Sequence, residues 1–249
     1  MKQNKNLRQK FSAKTWGLLL KDSENLFKRG DIVLAAVSGG ADSACLLHFL
    51  NFISQKQRFS LYACHINHNL RDTALRDEKF TKKLCKEYGV KCFTVSADVK
   101  KIAKDKNLSI EHAARRARYD AFEQISAKVK ANFIAMAHHA DDNAETMILN
   151  LLRSPHAKGL LGIPNKRPLN NSTMIVRPFL NITRQDVLNY AKFNDISFVE
   201  DETNADNNYT RNWVRNELLP LIAKKQPKIR EHLVNISKEL QGVLTDDKL

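Results

Sequence analysis

Ser38-Gly39-Gly40-Ala41-Asp42-Ser43 follows the apolar run Ile32 to Val37 and precedes a segment carrying Leu46, Leu47 and Leu50 at helical spacing. The pattern predicts a strand, a tight loop and a helix starting near Ala44. Two glycines permit backbone geometries that side chains forbid, and a helix start aims unpaired N–H groups and partial positive charge at the same point. Such a loop cradles phosphate. Ser38 and Ser43 add hydroxyl donors, and Asp42 suits a phosphate site if it helps to hold Mg²⁺. The lysine of a GxxxxGK[ST] loop and the GxGxxG dinucleotide pattern are both lacking.

Apolar runs recur further along at Phe59–Ile66, Lys91–Ser96, Asn132–Ala137 and Ile196–Val199, separated by helical patterns over 73–88, 110–128 and 183–193. Alternating β and α segments predict an α/β fold, a Rossmann-like parallel sheet with helices on both faces, ending in a short helical C-terminal appendage. The expected organisation is a basic segment over 1–30, a catalytic domain over 31–222 and a helical tail over 223–249. Residues 154–174, with Gly159, Gly162, Pro164 and Pro168 and basic Lys158, Lys166 and Arg167, read as a connecting loop.

The chain has 249 residues, 43% hydrophobic, with a net charge of +14 and a pI near 9.7. That charge favours a polyanionic partner, nucleic acid before membrane. Residues 1–30 hold eight Lys or Arg against Asp22 and Glu24, and they read either as an RNA contact or as a helix docked through Trp16, Leu19 and Leu20. No apolar run approaches the ~20 residues of a membrane span, and no signal peptide is apparent, so a cytoplasmic protein is expected. Cys45, Cys64, Cys85 and Cys92 form no CxxC pair, and reduced, mostly buried thiols are expected rather than a zinc or iron–sulfur site.

Candidate site residues gather at the ends of the apolar runs, where open α/β sheets bind ligands. His65-Ile66-Asn67-His68-Asn69-Leu70-Arg71 follows the second, and His138-His139-Ala140-Asp141-Asp142-Asn143-Ala144-Glu145 follows the fourth. Asp142 and Glu145, three apart on a helix, project together and form an acidic patch for a metal ion or an amine. Arg115 and Arg118 share a helical face, a spacing suited to clamping phosphate. Arg211 and Arg215 stand one turn apart, and Arg177 lies in Arg177-Pro178-Phe179-Leu180.

The ordered set AVSGGADS, HINHNLR, EHAARRARY, AHHADDNAET, Gly159-Leu160-Leu161-Gly162-Ile163, RPFL, and EDETN with YTRNWVR resembles the motifs of the bacterial tRNA(Ile)-lysidine synthetases over residues 31 to 222. Its phosphate loop is similar to that of the PP-loop, or N-type, ATP pyrophosphatases. The resemblance implies an ATP-dependent ligase that adenylates the wobble cytidine of a CAU-anticodon tRNA(Ile), joins free L-lysine to it as lysidine, and releases pyrophosphate and AMP. It implies ATP held by Ser38, Gly39, Gly40, Ala41, Asp42 and Ser43, with Mg²⁺ at Asp42, and catalysis by Asp42, Arg115, Asp142 and Glu145. Arg118, His138, Arg177, Arg211 and Arg215 would contact substrate, and His138 or a neighbouring carboxylate could take a proton from the attacking amine. A homodimer is compatible with the sequence. Ser154-Pro155-His156-Ala157 departs from the family's glycine-rich turn, and about 27 residues follow the match where many members carry further tRNA-gripping domains. The rival readings are a tRNA thiolase of the same loop family, a small-molecule adenylating ligase, and a non-catalytic RNA-binding module.

Overall fold

The computed structural model describes residues 16–24, 26–70, 73–199 and 210–246, with side chains as far as residue 243. The basic residues before 16, Arg71, the EDETN turn and Tyr209 lie outside the described residues. Residues 16–24 form helix α1. It is followed by β1 (Ile32–Ala36), α2 (Ala41–Gln57), β2 (Ser60–Asn67), α3 (Ala74–Glu87), β3 (Lys91–Ser96), α4 (Val99–Asp105), α5 (Ile110–Val129), β4 (Phe133–Ala135) and α6 (Ala140–Arg153). A 3₁₀ turn (Ala157–Leu161), β5 (Lys166–Pro168), β6 (Met174–Val176) and α7 (Arg184–Phe193) come next. The last elements are α8 (Thr210–Trp213), a π-helical turn (Val214–Leu218), α9 (Leu219–Ala223) and α10 (Ile229–Asp246).

The sheet order is β3-β2-β1-β4-β6-β5. All neighbours are parallel except β5 and β6, which pair antiparallel at one edge. Side-chain alternation sorts the strands onto two cores. Val33 and Ala35 of β1 face a layer containing Leu46, Leu84 and Val187 from α2, α3 and α7. Leu34 points the other way, with Ile134 and Ile175, against Phe122 and Ile125 of α5. The central strands β1 and β4 are therefore covered on both sides, which is why they read as continuous apolar runs, whereas β5 at the edge exposes Lys166 and Pro168.

The neighbours of β1 are β2 on one side and β4 on the other, so the connections after β1 and β4 diverge and leave a crevice at their carboxyl ends. The region before β1 belongs to the packed body: Leu19 is buried, and Trp16 stacks on Tyr190 with ring centroids 5.6 Å apart. The C-terminal helix is likewise packed inward, with Leu233 and Val234 of α10 joining Ala144 and Met147 of α6 and Val214 in a third core.

Several elements depart from the sequence expectation. Helix α2 begins at Ala41 because Gly40, in extended conformation, serves as its N-cap. Ile196–Val199 is not a strand; its backbone runs over the phosphate loop, where Val199 N donates to Gly39 O at 3.0 Å. The expected loop over 154–174 contains the 3₁₀ turn and β5, a strand made by pairing Lys166–Pro168 with β6 rather than by any apolar pattern of its own. Helix α4 was not expected, being short and dominated by lysine.

Candidate active site

The phosphate loop is shaped by Ser43. Its Oγ accepts from Ser38 N at 3.1 Å and Gly39 N at 3.2 Å, and donates to Gly40 O at 3.0 Å. Gly39 has φ +97°, a region that disfavours other residues, and a Cβ there would meet Thr81 Oγ1 of α3 at 3.0 Å. Among the described residues no side chain caps the N-terminus of α2, which leaves its first N–H groups available to an anion.

Asp42 sits in the first turn of α2. Its side chain is 39% exposed overall, yet Oδ1 is buried and, among the described residues, without a hydrogen-bond partner. Oδ2 lies 3.7 Å from His139 Nε2. Burial raises the pKa of Asp42, against the pull of His139, and Asp142 adds to the rise. An orphaned carboxylate oxygen beside a phosphate cradle is the environment that a Mg²⁺ shared with phosphate oxygens relieves.

The second wall comes from the loop after β4 and the start of α6. His139 caps α6: Asp142 N donates to His139 Nδ1 at 3.3 Å, and His139 N donates to Asp142 Oδ2 at 3.0 Å. Asp142 Oδ1 meets Arg211 Nη2 at 3.2 Å and Arg215 Nη2 at 3.4 Å. Burial works against the charge on Asp142, but His139 and Arg211 outweigh it and lower the pKa. Glu145, 1% exposed, accepts from Arg211 Nε at 3.0 Å and from Arg215 Nε at 2.6 Å. Asp141 turns away into structure, accepting from Arg184 N at 2.8 Å and reaching Arg230 at 3.4 Å.

The phosphate loop, Asp42 and Asp142 border a cavity of about 450 Å³. Of the residues expected from sequence, Ser38, Gly40, Asp42, Ser43, Arg118, His138 and Asp142 line it. Gly39 of the loop and Ala41 at the start of α2 are not among the lining residues. Arg118 is half-buried, and desolvation lowers its pKa, with Arg115 and Arg211 lowering it further. Arg177 reaches the cavity through His138, donating from Nε to Nδ1 at 3.2 Å. Arg115 turns onto Tyr119, its guanidinium carbon 5.1 Å from the ring centroid. Glu145 stands behind Asp142, occupied by its two arginines. Arg211 and Arg215, expected to meet nucleotide, are thus bound to the acidic pair.

Sequence reasoning gave His139 no role, because helix capping by an imidazole depends on the ring's position at the end of β4. Asn67, also on the cavity wall, donates to Glu78 of α3 at 2.9 Å; its place at a strand end was the available signal. Among the described residues no helix is long and apolar enough to cross a membrane.

A parallel sheet with a glycine-bearing loop after β1, a phosphate-ready helix start and a cavity at the switch point defines a PP-loop protein. The family model described as the PP-loop domain matches residues 9–222, and the chain belongs to that family. The curated relatives it resembles include the tRNA(Ile)-lysidine synthase of Bacteroides thetaiotaomicron, 40% identical over 90% of this chain and 51% of the relative. The tRNA(Ile)-lysidine synthase of Oceanobacillus iheyensis is 38% identical over 90% of this chain and 47% of the relative. The chain spans about half the length of these relatives. Among solved structures, the U34-tRNA thiolase NcsA from Methanococcus maripaludis with its [4Fe-4S] cluster aligns with a TM-score of 0.79 and 20% identity, over 94% of this chain and 79% of that one. An NH₃-dependent NAD synthetase from Campylobacter jejuni aligns with a TM-score of 0.52 and 14% identity, over 93% and 94%. Both likenesses concern the fold alone.

Proposed function

We propose that the chain carries the catalytic site of a tRNA(Ile)-lysidine synthase: it adenylates a cytidine of the tRNA and replaces the adenylate with lysine. The observation that carries this reading is the meeting of Asp42, Arg118, His138 and Asp142 around one cavity at the carboxyl edge of the sheet. The similarity to the two lysidine synthases named above supports the choice of substrate.

In the first step the cytosine C2 oxygen attacks the α-phosphorus of ATP and pyrophosphate leaves. The loop from Ser38 to Ser43 and the start of α2 would bind the phosphates, Asp42 would share Mg²⁺ with them, and Mg²⁺ would supply neutralisation of the charge on the departing pyrophosphate. Arg118, half-buried at the cavity wall, would stabilise the same charge. Arg115, stacked on Tyr119, is better placed for the RNA backbone.

In the second step the ε-amine of lysine attacks C2, loses a proton and expels AMP. An ammonium ion is no nucleophile, so the reacting amine must be neutral. A carboxylate kept charged raises the pKa of any ammonium that it pairs with. Asp142 therefore suits the α-ammonium of lysine, leaving the ε-amine free to react. Glu145 acts through Arg211 and Arg215, which it holds at the edge of the cavity. Wobble cytidine must be splayed from its loop to enter, a mode of recognition suited to single-stranded RNA.

A tRNA thiolase is less well supported. Cys45, Cys64, Cys85 and Cys92 form no CxxC pair of the kind that holds a cluster or relays a persulfide, and burial pushes the thiols of Cys45 and Cys64 up to about 12, although Cys85 lowers that of Cys92. The test is incorporation of labelled lysine into unmodified CAU-anticodon tRNA(Ile) with ATP and Mg²⁺. Dependence of ATP turnover on sulfide, or its indifference to tRNA, would sink the reading.

A further inference from the structure

His138 lies at the end of β4 on the cavity wall, and its Nδ1 receives a hydrogen bond from Arg177 Nε at 3.2 Å. A guanidinium has donors and no acceptor. Nδ1 must then present its lone pair, and the single proton of the neutral ring sits on Nε2. Among the described residues Nε2 has no hydrogen-bond partner.

Arg177 cannot easily turn away. It is 4% exposed, and its Nη1 donates to Pro164 O at 2.6 Å. The peptide before Pro164 is itself held, since Ile163 N donates to Asn143 Oδ1 at 2.6 Å and Asn143 Nδ2 donates to Ser237 Oγ of α10 at 3.1 Å. A chain of buried and part-buried hydrogen bonds thus runs from α10 through α6 and the Gly162 turn to the imidazole.

We infer that Arg177 is a positioning residue that fixes His138 as its neutral Nε2–H tautomer, making His138 a hydrogen-bond donor to an oxygen of the cytosine or of the phosphoryl group joined to it, and not the base that deprotonates the amine. The charges around the ring favour the same state. Burial lowers the His138 pKa to about 3 against the pull of Asp142, and Arg177, Arg211 and Arg118 add to the lowering. The donor role rests on the reaction proposed above; the tautomer does not.

The experiment has two arms. In protein labelled with ¹⁵N-histidine, the His138 signals, assigned by their loss in His138→Gln, should show a pyridine-type Nδ1 and a pyrrole-type Nε2 that persist at about pH 5, below the ordinary imidazole range. Arg177→Met should mix the tautomers and return the ring's titration toward that range. A wild-type ring carrying its proton on Nδ1, or titrating normally, would overturn the inference whether or not lysine is incorporated.

In the second arm, His138→Gln keeps an N–H donor near the position of Nε2 but cannot accept a proton at neutral pH. Lysine incorporation should stay within about 10-fold of wild type in His138→Gln and fall by about 10²-fold or more in His138→Ala, the scale of a lost oxyanion donor. Equal loss in the two variants overturns the donor role. In His138→Ala, weakened tRNA affinity without ATP would place the acceptor on the base, and slowed pyrophosphate release at unchanged affinity would place it on the phosphoryl group.

Discussion

Arg215 Nε lies 2.6 Å from Glu145 Oε1 while its Nη2 lies 3.0 Å from Glu145 Oε2, a two-pronged pair in which the carboxylate is 1% exposed and the arginine 19%. Arg211 bonds the same carboxylate from the side, so one buried anion holds two cations from the segment following residue 209. The geometry ties α8 and the π-helical turn to α6, next to the cavity. In a fork–fork pair both bonds are charge-assisted and orientation is fixed as well as distance.

Removing the Glu145 charge strands both guanidiniums. Glu145→Gln should cost about 3 kcal/mol, the low end for breaking a buried pair from one side, because Asp142 still faces both arginines. Urea unfolding measures it, and a loss below about 1 kcal/mol would mean that the pair is solvated in solution. Arg215→Ala should cost more than Arg211→Ala, since Arg211 is 37% exposed.

Asp42 is expected to oppose folding while it serves the reaction. Burial raises its pKa, so the folded state binds this proton more tightly than the unfolded chain does. The penalty is full above the folded pKa and fades as pH falls toward the ordinary value of 3.8. Asp42→Asn should therefore raise the thermal midpoint at pH ~7 and lose this advantage near pH ~4, while pyrophosphate release disappears. Scanning calorimetry across pH, with and without ATP and Mg²⁺, checks this: the ligands should stabilise the wild type more than the variant. A lower midpoint for Asp42→Asn at neutral pH would contradict the burial argument.

Gly162 tests the connection between α10 and the cavity. Its φ is +63°, and a Cβ there would overlap Asn143 Oδ1 and press on Ser237 Oγ. Gly162→Ala should destabilise by about 2 kcal/mol, from strained backbone and a displaced carboxamide, and should lower lysine incorporation by loosening Pro164 and Arg177. Gly242, in α10 with open space around its Cβ, is the control: Gly242→Ala should be neutral or stabilise by about 0.5 kcal/mol. Equal effects at the two positions would show that the turn carries no strain.

Much of this arrangement was legible in local chemistry. The strand Lys91–Ser96 was expected with the same bounds, and the helix expected from residue 110 starts there, where the Ser109 hydroxyl accepts from His112 N at 3.2 Å. Thr183 and Asp186 close a capping box at the start of α7. These signals act within a few residues, so a sequence window contains all the partners. Ile196–Val199 misled because an apolar, β-branched string satisfies strand propensity equally well when its backbone pairs with a loop. Lys166–Pro168 carries no such string and becomes a strand through its neighbour β6.

Residue order alone placed the phosphate loop and the acidic pair after two strands of the sheet and the paired arginines on helical faces, because strand and helix periods and glycine-dependent turns are local properties. Which charges would meet was settled by folding. Glu145 and Arg215 are 70 positions apart and His138 and Arg177 are 39, and no local period encodes a contact over such distances. Close packing of α8 and the π-helical turn on α6, and of β6 beside β4, brings these groups out of water together; there an unpaired charge is costly and a guanidinium dictates which imidazole nitrogen keeps its proton.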